Sequence, residues 1–161
     1  MNLITNMKSI KLGVIGIDHG HIFDMLDEML NEGCKCDYFW TEGNPLTLKE
    51  FKIKYPNIIR RKNKEDILND KSIDMILISS IPKNRADNSI EALKAGKDVM
   101  VDKPGCTTLN QLNKIKQTVK ETEQIWSVNF SERFHVAAVT KAEELVDMGK
   151  IGKVKQTIGT G

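Results

Sequence analysis

A doubly wound α/β fold, with a mostly parallel sheet in a single domain, is predicted by three features of this 161-residue sequence. Apolar, strand-like runs alternate with amphipathic helical stretches from Ile10 to Met148, joined by short connections. Asp74 to Ser80 is apolar almost throughout, as a strand covered on both faces must be. A glycine-bearing turn, Gly13-Val14-Ile15-Gly16-Ile17-Asp18-His19-Gly20-His21, joins the first strand to the first helix, where such folds bind nucleotides.

The elements follow in order. Ile10 to Gly16 reads as the first strand. Ile22, Met25, Leu26, Met29 and Leu30 then form the i, i+3, i+4, i+7, i+8 stripe of a helix packed on a sheet, and Gly33 stops it. Cys36 to Trp40 is a second strand. Asn44 and Pro45 read as an N-cap and first helical residue, opening a helix to about Lys54, before Pro56. Ile58-Ile59 is a short third strand, and residues 64 to 69 a brief helix. After the strand at Asp74 to Ser80, a helix over residues 84–95 turns Ala86, Ile90 and Leu93 inward and ends at Gly96. Asp98 to Val101 is a strand that delivers Lys103 to its carboxyl end. Thr108-Leu109-Asn110-Gln111 is a capping box, whose helix is expected to bury Leu109, Leu112, Ile115 and Val119. Ile125 to Asn129 is another strand, Val136 to Met148 another helix closed by Gly149, and Val154 to Ile158 a last short strand.

Composition narrows the function classes. With 40% hydrophobic and 29% charged residues the chain can bury a core, and its net charge of +2 points to neither a nucleic acid nor a membrane partner. No apolar run reaches the ~18 residues of a membrane span, and Met1 to Met7 lacks the pattern of a signal peptide, so the cytoplasm is the expected compartment. Cys34, Cys36 and Cys106 are an odd number for a disulfide framework and are expected as free thiols. No metal set is predicted: Cys34-Lys35-Cys36 has no second pair, and histidines at i, i+2 do not share a helix face.

The turn departs from the usual G-x-G-x-x-G. Counted from Gly16, Asp18 and His21 stand at the second and third glycines, with Gly20 one place earlier. Asp18 is a good helix cap, and His19 and His21 can donate to phosphate when protonated. After the second strand, where an acid commonly holds the ribose, Thr41 is followed by Glu42, and no arginine stands nearby in sequence. NAD is therefore favoured over NADP.

These segments together resemble the N-terminal domain of the Gfo/Idh/MocA oxidoreductases, which include glucose-fructose oxidoreductase and inositol dehydrogenase. The resemblance spans about Lys8 to Gly161. It rests on the turn at Lys11 to Gly20, the strand ending Ile78-Ser79-Ser80-Ile81-Pro82, Ala92-Leu93-Lys94-Ala95-Gly96-Lys97-Asp98-Val99, Asp102-Lys103-Pro104, Asn129 to Phe134, and Gly149-Lys150-Ile151-Gly152. It implies a Rossmann-like domain over residues 8–149, with 150–161 opening an α/β substrate domain that this sequence does not contain.

It further implies NAD or NADP as cofactor and hydride transfer at a sugar, polyol or related hydroxyl or carbonyl carbon, with Lys103 as the proton-transfer residue. Gly16, Ile17, Asp18, His19, Gly20, His21, Thr41, Glu42, Ser79, Ser80, Pro82, Asp102, Lys103, Asn129 and Arg133 are the expected cofactor-binding residues. Arg85 stands near where the family often has a histidine. A nucleotide cofactor, a small-molecule substrate for a longer form and a homo-oligomeric partner are the expected associations. The competing reading is a nucleotide-binding module or truncated product that turns nothing over.

Overall fold

The computed structural model describes residues 9–130 and 136–158. The chain divides into two compact units, Met1–Asn129 and Phe130–Gly161. In the first, strands β1 (Lys11–Ile17), β2 (Lys35–Trp40), β3 (Ile59–Arg60), β4 (Met75–Ser79), β5 (Asp98–Asp102) and β6 (Trp126–Asn129) form one six-stranded sheet. All pairings are parallel, in the order β3-β2-β1-β4-β5-β6. The helices are α1 (His21–Asn31), α2 (Leu48–Lys54), α3 (Glu65–Leu68), α4 (Pro82–Lys94) and α5 (Leu109–Thr122). The chain winds outward from β1 to β3, then resumes on the other side of β1 as β4. That reversal leaves a crevice beyond the carboxyl ends of β1 and β4, where doubly wound folds bind ligands.

Alternation along the strands supplies two apolar faces. Leu12, Val14 and Leu77 pack with Ile22, Met25 and Leu26 of α1 and Phe39, Phe51 and Tyr55 of the β2–α2 region. Ile15, Ile76, Ile78, Val99 and Val101 pack with Ile67 of α3 and Ala92 and Leu93 of α4. The Thr108 capping box is present: Gln111 N–H donates to Thr108 Oγ1 at 3.1 Å, and Thr108 N–H donates to Gln111 Oε1 at 3.2 Å.

Several element boundaries differ from the sequence reading. α2 begins at Leu48 rather than Pro45, because Asn44 Oδ1 accepts from Arg60 Nη1 at 3.1 Å instead of capping a helix. α4 begins at Pro82, whose missing N–H and fixed φ suit the first helical position. Of the four residues expected inside α5 only Ile115 is buried; Leu112 and Val119 are half-buried, Leu109 is exposed, and Thr118 is buried as well. In the second unit α6 (Ala137–Asp147) is helical as expected and has no buried residue. Val154 to Ile158 forms no strand: no described segment pairs with it, and an extended segment needs a neighbour to satisfy its amides.

Candidate nucleotide-binding site

The β1–α1 turn is held from beneath by β4. The Asp18 and His19 N–H groups both donate to Ser79 O, at 2.9 and 3.2 Å, and Ser79 Oγ donates to His19 O at 3.2 Å. Gly16 has φ +77°, and a Cβ there would lie 2.5 Å from Ser80 Cβ and 2.8 Å from its backbone nitrogen. Only glycine lets the turn cross so close to the end of β4. Gly20 is different: its φ is −62°, and no protein atom lies within 4 Å of a Cβ built on it. Neither backbone nor packing demands glycine at the head of α1, so the space there is open to a ligand. Ile17 is buried, with its carbonyl accepting from Thr47 Oγ1.

A cleft of about 400 Å³ opens at the carboxyl ends of β1, β2 and β4, lined by Gly16, Asp18, Trp40, Glu42, Gly43 and Ser80. Its far wall is a polar stripe on α4, Asn84, Asp87, Asn88 and Glu91, joined by Lys64. Lys64 Nζ lies 5.7 Å from the Trp40 ring centre, donates to Asn88 Oδ1 at 3.1 Å and pairs with Glu91. Asn88 in turn donates to Ser80 Oγ at 3.1 Å. Burial pushes the Asp18 carboxyl above the usual carboxylate range, and the Glu42 charge adds to the rise. Thr41 lies beneath Glu42, and its buried Oγ1 has no hydrogen-bond partner.

The structure corrects the absence of an arginine near the ribose position. Arg60, on β3, donates from Nη2 to Thr41 O at 3.0 Å and Gly43 O at 2.5 Å. With Asn44 Oδ1 as its third acceptor, this guanidinium ties the β2–α2 loop to β3.

A second cleft of about 250 Å³ lies on the other side of the turn, lined by Asp18, His19, Ser80, Pro82, Arg85 and Lys103. Arg85 organises it. Its buried guanidinium donates to Ser80 O at 2.7 Å, Asp102 O at 3.1 Å, Lys103 O at 2.5 Å and Asp102 Oδ2 at 2.8 Å. Asp102 is fully buried, and its Oδ1 lies 2.8 Å from His21 Nδ1. Asn129 sits beside Asp102 in the β5–β6 register. Arg133 lies outside the described residues.

Apart from Gly20 and His21 at the head of α1, Asn129 beside Asp102 and Arg133, the expected site residues fall into three groups. Gly16, Asp18, Glu42 and Ser80 line the larger cleft; Asp18, His19, Ser80, Pro82 and Lys103 line the smaller one. Ile17, Thr41, Ser79 and Asp102 are buried supports. Sequence reading missed Trp40, Lys64 and the polar stripe of α4. The signal was present: residues 84, 87, 88 and 91 follow the helical i, i+3, i+4, i+7 spacing in polarity, opposite the apolar stripe.

The family model described as an oxidoreductase family with an NAD-binding Rossmann fold matches residues 10–130, which include both clefts. This chain belongs to the Gfo/Idh/MocA oxidoreductase family. An NAD(+)-dependent scyllo-inositol 2-dehydrogenase from Bacillus subtilis is 34% identical over 88 residues, covering 55% of this chain and 25% of the relative. An NADP(+)-dependent scyllo-inositol 2-dehydrogenase of the same bacterium is 24% identical over 132 residues, covering 78% of this chain and 34% of the relative. A solved structure from Erwinia carotovora atroseptica, classed as an oxidoreductase, is 34% identical with a TM-score of 0.87, over 91% of this chain and 44% of that one. The chain therefore spans less than half the length of each of these relatives. Among the described residues, no helix is long and apolar enough to cross a membrane.

A Gfo/Idh/MocA domain calls for NAD(P), and the residues present fit it. Gly16 lets the turn pass close to β4, and Gly20 leaves open space for a pyrophosphate at the N-terminus of α1. The carboxylates of the larger cleft are acceptors suited to ribose hydroxyls.

Proposed function

We propose that this chain supplies the nucleotide-binding part of an NAD(P)-dependent dehydrogenase acting on a polyol, sugar or related hydroxyl or carbonyl substrate. The position of Lys103 carries the reading. It lies at the carboxyl end of β5 and lines a small cleft beside the glycine turn, next to the larger cleft that suits the adenosine half of a dinucleotide. The nicotinamide, when bound, accepts or delivers the hydride. Lys103 exchanges the proton of the substrate hydroxyl, Arg85 fixes the backbone carbonyls on either side of it, and Pro82 closes the cleft wall. Residues 8–149 form the nucleotide-binding domain, with 150–161 leading into a substrate-binding partner domain; the greater length of the relatives supports this arrangement.

NAD is the favoured cofactor. Asp18, Glu42, Asp87 and Glu91 make the larger cleft acidic, and its lysine is already paired with Glu91. A 2′-phosphate there meets repulsion that a 2′-hydroxyl does not. The test is calorimetric titration of the chain with NAD, NADH and NADP, repeated on Gly16→Ala and Lys103→Ala. The expected result is NAD tighter than NADP, loss of binding in Gly16→Ala and near wild-type affinity in Lys103→Ala. No binding of either nucleotide, or binding unaffected by Gly16→Ala, overturns the reading.

A further inference from the structure

We propose that His19, His21 and Asp102 form a binding site for one divalent transition-metal ion of the zinc class. The three side chains converge. One ligand atom from each residue lies within 4.8 Å of the other two. His21 Nδ1 is 2.8 Å from Asp102 Oδ1, and His19 Nδ1 is 3.5 Å from Asp102 Oδ2. The same nitrogen of both rings turns toward one carboxylate, and the rings meet edge to face with centres 4.2 Å apart. An ion bonded at about 2.0–2.2 Å to each of three such atoms needs them roughly 3–3.5 Å apart, so small side-chain adjustments close the set.

His19 precedes the helix, so the i, i+2 spacing does not separate the two rings. It sits in the β1–α1 turn, whereas His21 is the first residue of α1, so no shared helix face is needed.

The surroundings suit a ligand set. Asp102 has no exposed surface, and Arg85 Nη2 grips its Oδ2 at 2.8 Å. A ligating carboxylate fixed by a second partner in this way is a regular feature of built metal sites. His19 is half-exposed and gives solvent access. Charge decides which ion fits. The Arg85 guanidinium and the positive end of α1 both oppose a cation. Calcium and magnesium, which rely on several anionic oxygens, gain too little here. An ion that bonds strongly to imidazole nitrogen, such as zinc, keeps most of its affinity. His19 also lines the cleft that holds Lys103, so the ion borders that cleft. His19 and His21 flank Gly20, where the nucleotide reading places the pyrophosphate, but zinc binding is read without nucleotide, so the two readings fail separately.

The experiment is zinc titration of the metal-stripped full chain by calorimetry, in a Cys34→Ser, Cys36→Ser, Cys106→Ser background that removes the free thiols as competing ligands. Cobalt(II) absorption provides the second readout. His19→Ala is the main variant, because its exposed ring leaves the fold intact; His21→Ala is the second, and circular dichroism checks both. One ion per chain is expected, with affinity falling at least about 100-fold in each histidine variant, beyond the 10–100-fold typical of outer-shell changes. Cobalt should give the visible bands of a nitrogen- and oxygen-ligated ion, and these should disappear in the variants. No saturable zinc binding, or equal affinity in folded wild type and variants, overturns the proposal and leaves the cluster a hydrogen-bonded network.

Discussion

Asp18 shows how one residue sets the character of this site. It stands where nucleotide-binding turns of this type carry glycine, and it points negative charge into both clefts. Burial, with Glu42 nearby, raises its pKa, so ionisation costs more in the folded chain than in the unfolded one. Asp18 contributes stability below its ordinary pKa and loses it as pH rises through the raised folded value. Asp18→Asn should therefore tighten NAD binding near neutral pH by about 1 kcal/mol, roughly fivefold, since one like charge near the pyrophosphate is removed. The advantage should shrink as pH falls into the titration of the wild-type carboxyl. Calorimetry at several pH values checks both; equal affinities at pH 7 would show that Asp18 faces away from the phosphates. This departure from the glycine pattern was legible in the sequence. The partner of Asp102 was not: Arg85 and His21 lie 17 and 81 residues away from it, and no local pattern links them.

Among the elements, α4 does double duty. One stripe, Ala86, Ala92 and Leu93, is buried in the core, while Asn84, Asp87, Asn88 and Glu91 line the larger cleft. Arg85 then ties the helix to the end of β5 through its bond to Asp102 and the flanking carbonyls. A buried pair of this kind costs most when one partner is removed. Arg85→Met should lower unfolding free energy by about 3–5 kcal/mol, measured by chemical denaturation, and Arg85→Met with Asp102→Leu should recover much of it. A single-variant loss below ~1 kcal/mol would show that solvent reaches the pair. Helix periodicity announced α4 and, through Ala86 and Leu93, part of its core face; Ile90, expected inward, is half-buried, while Arg85 is buried. Its first turn was misplaced by two residues, because Pro82 opens the helix rather than preceding it. Likewise α2 starts late, since Asn44 spends its side-chain oxygen on Arg60, a residue on another strand.

At the scale of the whole molecule, the first unit contains the complete sheet and both apolar clusters, while the helix of the second unit has no buried residue. A fragment ending at Asn129 should therefore fold cooperatively, with a thermal midpoint within a few degrees of the full chain. Circular dichroism melts of the two forms check this. A fragment without a cooperative transition would mean that residues after Asn129 complete the core.

From Ile10 to Asn129, element order, the parallel sheet, the glycine turn and the delivery of Lys103 to a strand end were determined by the sequence alone, because periodicity, capping and turn chemistry act within a few residues; the strand expected at Val154 to Ile158 did not form. Only the tertiary structure decided that His19, His21, Arg85 and Asp102 share one cluster, and that Lys64 and the polar stripe of α4 wall the larger cleft. Those meetings depend on where each crossover returns the chain to the sheet. A buried charge is stabilised by whichever partner arrives there, not by its neighbours in sequence.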